Sequence, residues 1–198
     1  LGIGMVHQHF RLVSTFTVAE NLHLGWDKTP RFITNKKLLI RAKDLISKYD
    51  FNVSVDSYIE QLSIGEQQRV EILKALSRGA NTLILDEPTA VLTPDESKKL
   101  FITLRKLAKN GYSIIIISHK LKEVVLHTDI ISVLRKGKKV VTMNTTECDE
   151  ESLGRLMIGR TIVSKKYKKS VFHQPKIVAE VRNICANNDK GMTVLNNI

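Results

Sequence analysis

Cysteine and proline are scarce in these 198 residues, with two of the first and four of the second. Cys148 and Cys185 lack metal-ligand spacing and cannot form a disulfide framework, which is the usage expected of a reduced, intracellular protein. The prolines punctuate rather than pervade. Pro88 stops an apolar run, Pro94 opens a helix, and Pro30 and Pro175 fall in stretches without periodicity. No apolar run approaches the length of about 18 residues that a membrane-spanning helix needs, so none is expected. No signal-peptide pattern is visible. The chain begins at Leu1 rather than Met, inside what reads as a strand. Acidic residues are also short: 20 against 31 Lys and Arg, for a net charge of +11. That excess suits an acidic partner such as nucleotide phosphates, nucleic acid or an anionic membrane face.

One stretch is chemically odd, Leu83-Ile84-Leu85-Asp86-Glu87-Pro88-Thr89. A short apolar run reads as a fully buried strand, and this one ends in two adjacent carboxylates. A desolvated carboxylate needs a cation, a donor or a reaction. In an open parallel sheet, ligands bind beyond the carboxyl ends of the strands, where this pair would stand. The simplest use is one carboxylate near Mg²⁺ and the other near a water to be activated. A solvated acidic turn is the competing reading of these residues alone.

Earlier in the chain, Ile3, Met5 and Val6 predict a strand over 2–7, with Gln8 just beyond it. His7-x-His9 has metal-ligand types but no third ligand nearby in sequence. Thr17 with Glu20 three residues on is a capping box opening a short helix. Leu38, Leu39, Ala42, Leu45 and Ile46 recur at helical spacing over 35–49. Ser63 and Gly65 precede a long amphipathic helix that runs toward Gly79. They therefore stand where free N–H groups and the helix dipole attract anions, although a serine there is also an ordinary cap.

Thr93 and Pro94 open another helix, with Leu100, Leu104 and Leu107 on its apolar face. Ile114 to Ile117 predict a second fully buried strand within 113–118, and His119 follows it. Gln8, Asp86-Glu87 and His119 thus put polar groups at three successive strand ends. A short helix over 120–126, a hairpin around Arg135-Lys136-Gly137 and a helix over 150–158 come next. Residues 159–175 are basic and patternless, the composition of a linker, and alternation resumes near Lys176.

These motifs, in this order, resemble the ATP-binding cassette (ABC) ATPases. Gln8 resembles the Q-loop glutamine, and Leu62-Ser63-Ile64-Gly65-Glu66 the signature usually written L-S-G-G-Q. The acidic strand resembles Walker B with its catalytic glutamate, and His119 the switch histidine. Further stretches, among them Glu87-Pro88-Thr89-Ala90-Val91-Leu92-Thr93-Pro94, are similar to the first cassette of tandem importers of simple sugars and nucleosides. The signature departs from consensus at Ile64 and Glu66, and Thr93 stands where many cassettes carry an aspartate. No G-x-x-x-x-G-K-[ST] phosphate loop occurs in the chain.

The resemblance implies an α/β, P-loop NTPase-like core without its Walker A part. It implies a partial cassette over 1–160 with a helical subdomain at about 12–80, a linker over 161–175 and the start of a second cassette over 176–198. The chain is then a fragment, expected to turn over little ATP alone. The resemblance further implies ATP and Mg²⁺ as cofactors. Asp86 and Gln8 would serve the metal, directly or through water. Glu87 would polarise the attacking water and His119 would contact the γ-phosphate. Gln8, Ser63, Gly65 and Glu66 would bind ATP, with Ser63 and Gly65 facing a nucleotide held by the other cassette. Implied partners are permease subunits, the second cassette and, indirectly, an extracellular solute-binding protein, at the cytoplasmic membrane face and without nucleic acid. A ribosome-associated tandem ATPase is the alternative, but its long charged inter-cassette helices are missing from the short connection here. A DNA-repair ATPase would need coiled-coil heptads, and none appear. A non-catalytic remnant is the third reading.

Overall fold

The computed structural model describes residues 2–25, 29, 34–159, 180–187 and 193–197. The chain divides into two compact units, 1–161 and 162–198. The described residues begin with β1 (Ile3–Val6), α1 (Val18–His23) and α2 (Asn35–Tyr49). A 3₁₀ turn (Ile59–Gln61) leads into α3 (Ile64–Ser77), β2 (Thr82–Asp86) and α4 (Pro94–Lys109). Then come β3 (Ser113–Ile117), α5 (Leu121–His127), β4 (Ile130–Arg135), β5 (Lys138–Asn144) and α6 (Glu150–Ile158).

Three helices start where the sequence spells a capping box. Thr17 with Glu20, Ser63 with Glu66, and Thr93 with Glu96 each bond reciprocally across the first turn. Each box answers two of the N–H groups that a helix start leaves without intrahelical partners. Pro94, with no N–H to lose, occupies the first turn of α4. Gly79 and Gly111, just beyond α3 and α4, have φ of +82° and +88°. The chain leaves both helices through a left-handed residue that glycine adopts without strain.

Strands β1, β2 and β3 form a parallel sheet in that order. Met5 pairs with Ile84 and Ile84 with Ile115; Val6 pairs with Leu85 and Leu85 with Ile116. The strands are therefore in step, and one face carries Gly4, Val6, Leu83, Leu85, Ile114 and Ile116. That face packs on the main core, with Val70, Ile72, Leu73 and Leu76 of α3 and Leu100, Leu104 and Leu107 of α4. Gly4 sets how closely α3 approaches. A Cβ there would lie 2.8 Å from the Ala75 Cβ and 2.9 Å from the Ala80 Cβ.

The opposite face corrects the expectation of two fully buried strands. In β2 only Leu83 and Leu85 are buried, with Ile84 half-buried. In β3 no residue is buried; Ile115 and Ile117 are 49% and 48% exposed, and Ile3 and Met5 of β1 are exposed beside them. A run of isoleucines reports that both faces can be apolar. It cannot report whether anything covers the second face.

Residues 50–58 were silent in the sequence and turn out to be ordered packing. Phe51, Val53 and Val55 are buried while Asn52, Ser54 and Asp56 are exposed. The segment runs past α1, and the Val18 and Ala19 N–H groups donate to the Ser57 and Val55 carbonyls. A smaller core gathers Ile131 and Val133 of β4 with Leu153 of α6. The β4–β5 hairpin turns through Lys136 and Gly137, both at positive φ, as a tight two-residue turn requires.

Within the second unit, β6 (Ala186–Asn187) and β7 (Thr193–Leu195) form a short antiparallel pair. The expected linker lies outside the described residues but for Gly159, which caps α6 at φ +75°. Most of the expected strand beginning at Lys176 lies outside them too, and described residues 180–185 form no strand.

Two outcomes test this packing. Leu73→Ala, at a fully buried site, should cost about 2–5 kcal/mol, read as a lower urea midpoint at unchanged slope. His127 stacks on Phe101 at 4.0 Å between ring centroids, and burial pushes its imidazole below the usual range. The unfolded chain then takes the proton more readily. Stability should fall as pH drops through about 6.5, and His127→Phe should flatten that decline in a thermal melt.

Candidate functional site

Register alone brings the polar strand ends together. Val6 is level with Leu85, and Asp86 with Ile117. Gln8, Asp86-Glu87 and His119 therefore all follow the carboxyl ends of adjacent parallel strands. This edge is where an open parallel sheet binds its ligands.

Glu87 sits at φ +45°, in the left-handed region that a non-glycine residue occupies at a cost. Its N–H donates to the Ile117 carbonyl at 2.9 Å, which ties this turn to β3. One carboxylate oxygen, Oε1, lies 2.7 Å from His119 Nδ1. A carboxylate only accepts, so Nδ1 carries the proton in that contact. The imidazole is 70% exposed and the carboxylate 17%. The other oxygen, Oε2, is buried with no hydrogen-bond partner among the described residues. A buried carboxylate oxygen without a donor is costly, so it is placed to receive one. Asp86 is half-buried at the end of β2, and Gln8 is exposed beyond β1.

Three further residues hold this edge, and the sequence did not single them out. Thr89 is completely buried, and its hydroxyl donates to Glu123 Oε2 at 2.5 Å. Lys120 Nζ donates to the Thr89 carbonyl at 2.6 Å and lies 3.7 Å from Glu123 Oε1. The turn after Glu87 is thus fastened to the helix that starts just after His119. The segment after Gln8 is fastened too. The Arg11 N–H donates to buried Glu71 at 2.6 Å, and Lys74 Nζ donates to the Arg11 carbonyl at 2.8 Å. Burial lowers the pKa of Lys74 from its usual value, and Glu71 opposes the shift. Asn21, also buried, both accepts from the Val13 N–H and donates to its carbonyl. The only signal of these ties in the sequence is Glu71 and Asn21 standing on apolar helix faces.

Ser63, Gly65 and Glu66 form a second group, at the start of α3. The Ser63 hydroxyl accepts from the Glu66 N–H at 3.3 Å, and Glu66 Oε2 accepts from the Ser63 N–H at 2.9 Å. Glu66 is therefore the third helical residue of a capping box, a local role distinct from the ATP contact expected of it from the resemblance. Gly65 is buried against Glu96, the third residue of α4. No hydrogen bond or ion pair among the described residues links this group to Glu87 and His119. Likewise, no cluster of three or more His, Cys, Asp or Glu suited to a metal occurs among the described residues, so His7 and His9 gain no further ligand. No helix among them is long and apolar enough to cross a membrane.

Comparison with known proteins gives this edge its context. Residues 1–90 match the ABC transporter family. The chain is 43% identical over 197 residues to the nucleoside import ATP-binding protein NupA of Lactococcus lactis, covering 96% of this chain and 38% of that protein. It is 37% identical to the glucose import ATP-binding protein TsgD13 of Haloferax volcanii, over all of this chain and 41% of that one. The chain thus spans well under half the length of these relatives. Its fold matches cbiO1 of Clostridium perfringens, part of the ABC transporter complex cbiONQ, at 25% identity and a TM-score of 0.63, covering 79% of this chain and 61% of that one. Fold, sheet-edge residues and relatives agree: residues 1–90 match the ABC transporter family, and the chain is similar along its length to ATP-binding proteins of importers.

Proposed function

We propose that the chain is part of the ATP-hydrolysing subunit of an importer for a nucleoside or a simple sugar. The observation that carries the reading is the Glu87–His119 contact at the sheet edge, with Glu87 Oε2 buried and without a donor. The relatives supply the solute class, as nucleoside and glucose import proteins.

The donor set fits the cofactors. Mg²⁺ is commonly held through one or two protein carboxylates, completed by phosphate oxygens and waters. Asp86 is such a carboxylate, and Gln8 offers an amide oxygen at the same edge. When bound, Mg²⁺ and ATP supply a phosphoryl group whose charge the metal partly neutralises.

Glu87 is the acceptor for the proton side of a water, with Oε2 free to take that hydrogen bond. Oε1 is already occupied by the Nδ1–H of His119, which fixes the carboxylate's rotation. His119 holds Glu87 through its Nδ1–H, and its Nε2 would reach a phosphate oxygen as a donor, which takes a second proton on the ring. Ser63 and Gly65 present a hydroxyl and a backbone N–H at the positive end of α3, where a phosphate of a second cassette's nucleotide would dock. Glu66 braces that turn through its bond to the Ser63 N–H. Phosphoryl transfer draws most of its acceleration from positioning and charge stabilisation, so the fastening of Thr89 and Arg11 is part of the machinery.

In this reading, the helical region at about 12–80 docks a permease, residues 161–175 link two cassettes, and the second unit begins the next one. A solute-binding protein supplies the cargo from outside, and the subunit works at the cytoplasmic membrane face.

Glu87→Gln in the whole protein, assembled with its permease, is the direct test. It keeps the shape and loses the base. Phosphate release should fall by about 10²–10⁴-fold while labelled ATP stays bound. Hydrolysis at the native rate would remove Glu87 from that role.

A further inference from the structure

The start of α3 already holds an anion of its own. Ser63 caps the helix and takes the Glu66 N–H, which leaves the Ile64 and Gly65 N–H groups as the open donors of the first turn. Glu96 stands over Gly65. Its Oε2 belongs to the α4 capping box, accepting from the Thr93 N–H at 3.0 Å and from the Thr93 hydroxyl at 2.9 Å. The other oxygen, Oε1, leans on Gly65, so closely that a Cβ there would lie 2.8 Å from it. Thr93, through backbone and hydroxyl, holds this carboxyl below the usual range, and the Gly65 N–H and the Arg69 guanidinium add to the effect.

A small cavity adjoins this carboxylate. Gly65, Arg69, Glu96 and Lys99 line this space of about 20 Å³, between α3 and α4. The Arg69 Nε is buried there and has no hydrogen-bond partner among the described residues. A buried guanidinium N–H without an acceptor is as costly as a buried acceptor without a donor. Rotation of Glu96 toward it would satisfy that group with a charge-assisted bond and clear the space over Gly65.

We propose that Glu96 is a carboxylate latch on the signature turn, resting on Gly65 and giving way to Arg69 when a phosphate of the second cassette's nucleotide arrives. The proposal rests on the reading that this turn meets such a phosphate. A carboxylate this close to Gly65 stands where the phosphate would dock, so the nucleotide must displace the latch, and the latch raises the ATP concentration needed for engagement. Glu96 acts here as a positioning residue, not as a catalytic one. Its place at the third position of α4, a few residues after Glu87, also ties the state of the signature turn to the turn that follows the acidic strand.

The test is an ATP titration of hydrolysis by the whole protein assembled with its permease, in the presence of Mg²⁺. Glu96→Gln keeps an oxygen for Thr93 and removes the charge. The half-saturating ATP concentration should fall about three- to tenfold, with kcat within about twofold. Glu96→Ala loses the cap as well, and the half-saturating concentration should still fall even as the melting temperature drops. Arg69→Met, which removes the second resting place, should raise it. An unchanged or higher half-saturating ATP in Glu96→Gln, in protein that melts normally, overturns the latch. Glu87→Gln run alongside separates the two readings. If it abolishes hydrolysis while Glu96→Gln shifts nothing, the latch alone falls. If Glu87→Gln still hydrolyses ATP, the functional reading falls and the latch with it.

Discussion

Everything at the candidate site depends on the in-step pairing of β1, β2 and β3. Three parallel strands joined without stagger must end at one edge, so whatever follows each strand arrives beside its neighbours. Gln8, the Asp86-Glu87 pair and His119 share no sequence neighbourhood, and the backbone ladder alone brings them to that edge. The ladder is fixed from behind by close contact. Gly4 lets α3 come near enough for Ala75 and Ala80 to touch β1, and Leu83 and Leu85 fill the space between the sheet and its helices. A register slip of one residue would turn every core side chain outward, so the packing of the apolar face and the alignment of the polar edge are the same constraint.

Geometry at that edge is strained in one place and supported around it. Glu87 has a left-handed backbone, a buried oxygen without a partner and a bond to a histidine that is mostly in solvent. Such a residue persists only where its surroundings over-determine it. Here they do so through Thr89, Lys120 and Glu123, which lock the following turn to α5, and through the Ile117 carbonyl, which receives the Glu87 N–H.

Local signals were legible in the sequence, and long-range ones were not. The three capping boxes, the helix over 35–49, the αL glycines after α3 and α4, and the hairpin at Arg135-Lys136-Gly137 all follow from residues a few positions apart. The meeting of Glu87 with His119 could be expected from strand ends, but the partly buried pairings of Thr89 with Glu123 and Arg11 with Glu71 could not. Those partners are 34 and 60 residues apart, and nothing in the periodicity of either segment marks them. The isoleucines of β3 misled for a related reason. Their apolar character fits a strand covered on both sides, and covering is a property of the neighbours, not of the strand.

That uncovered face bears on how the polypeptide behaves among its own copies. Among the described residues β1 and β3 are the edges of the sheet, and Ile3, Met5, Ile115 and Ile117 lie exposed on one side of it. Open strand edges beside an apolar surface favour self-association. The opposing influence is the surplus of 11 positive charges spread over the sequence, which makes two copies repel before their sheets can meet. Colloidal stability of this polypeptide should therefore be a matter of ionic strength: dilute buffer keeps it dispersed, and added salt screens the repulsion and lets the sheet faces find each other.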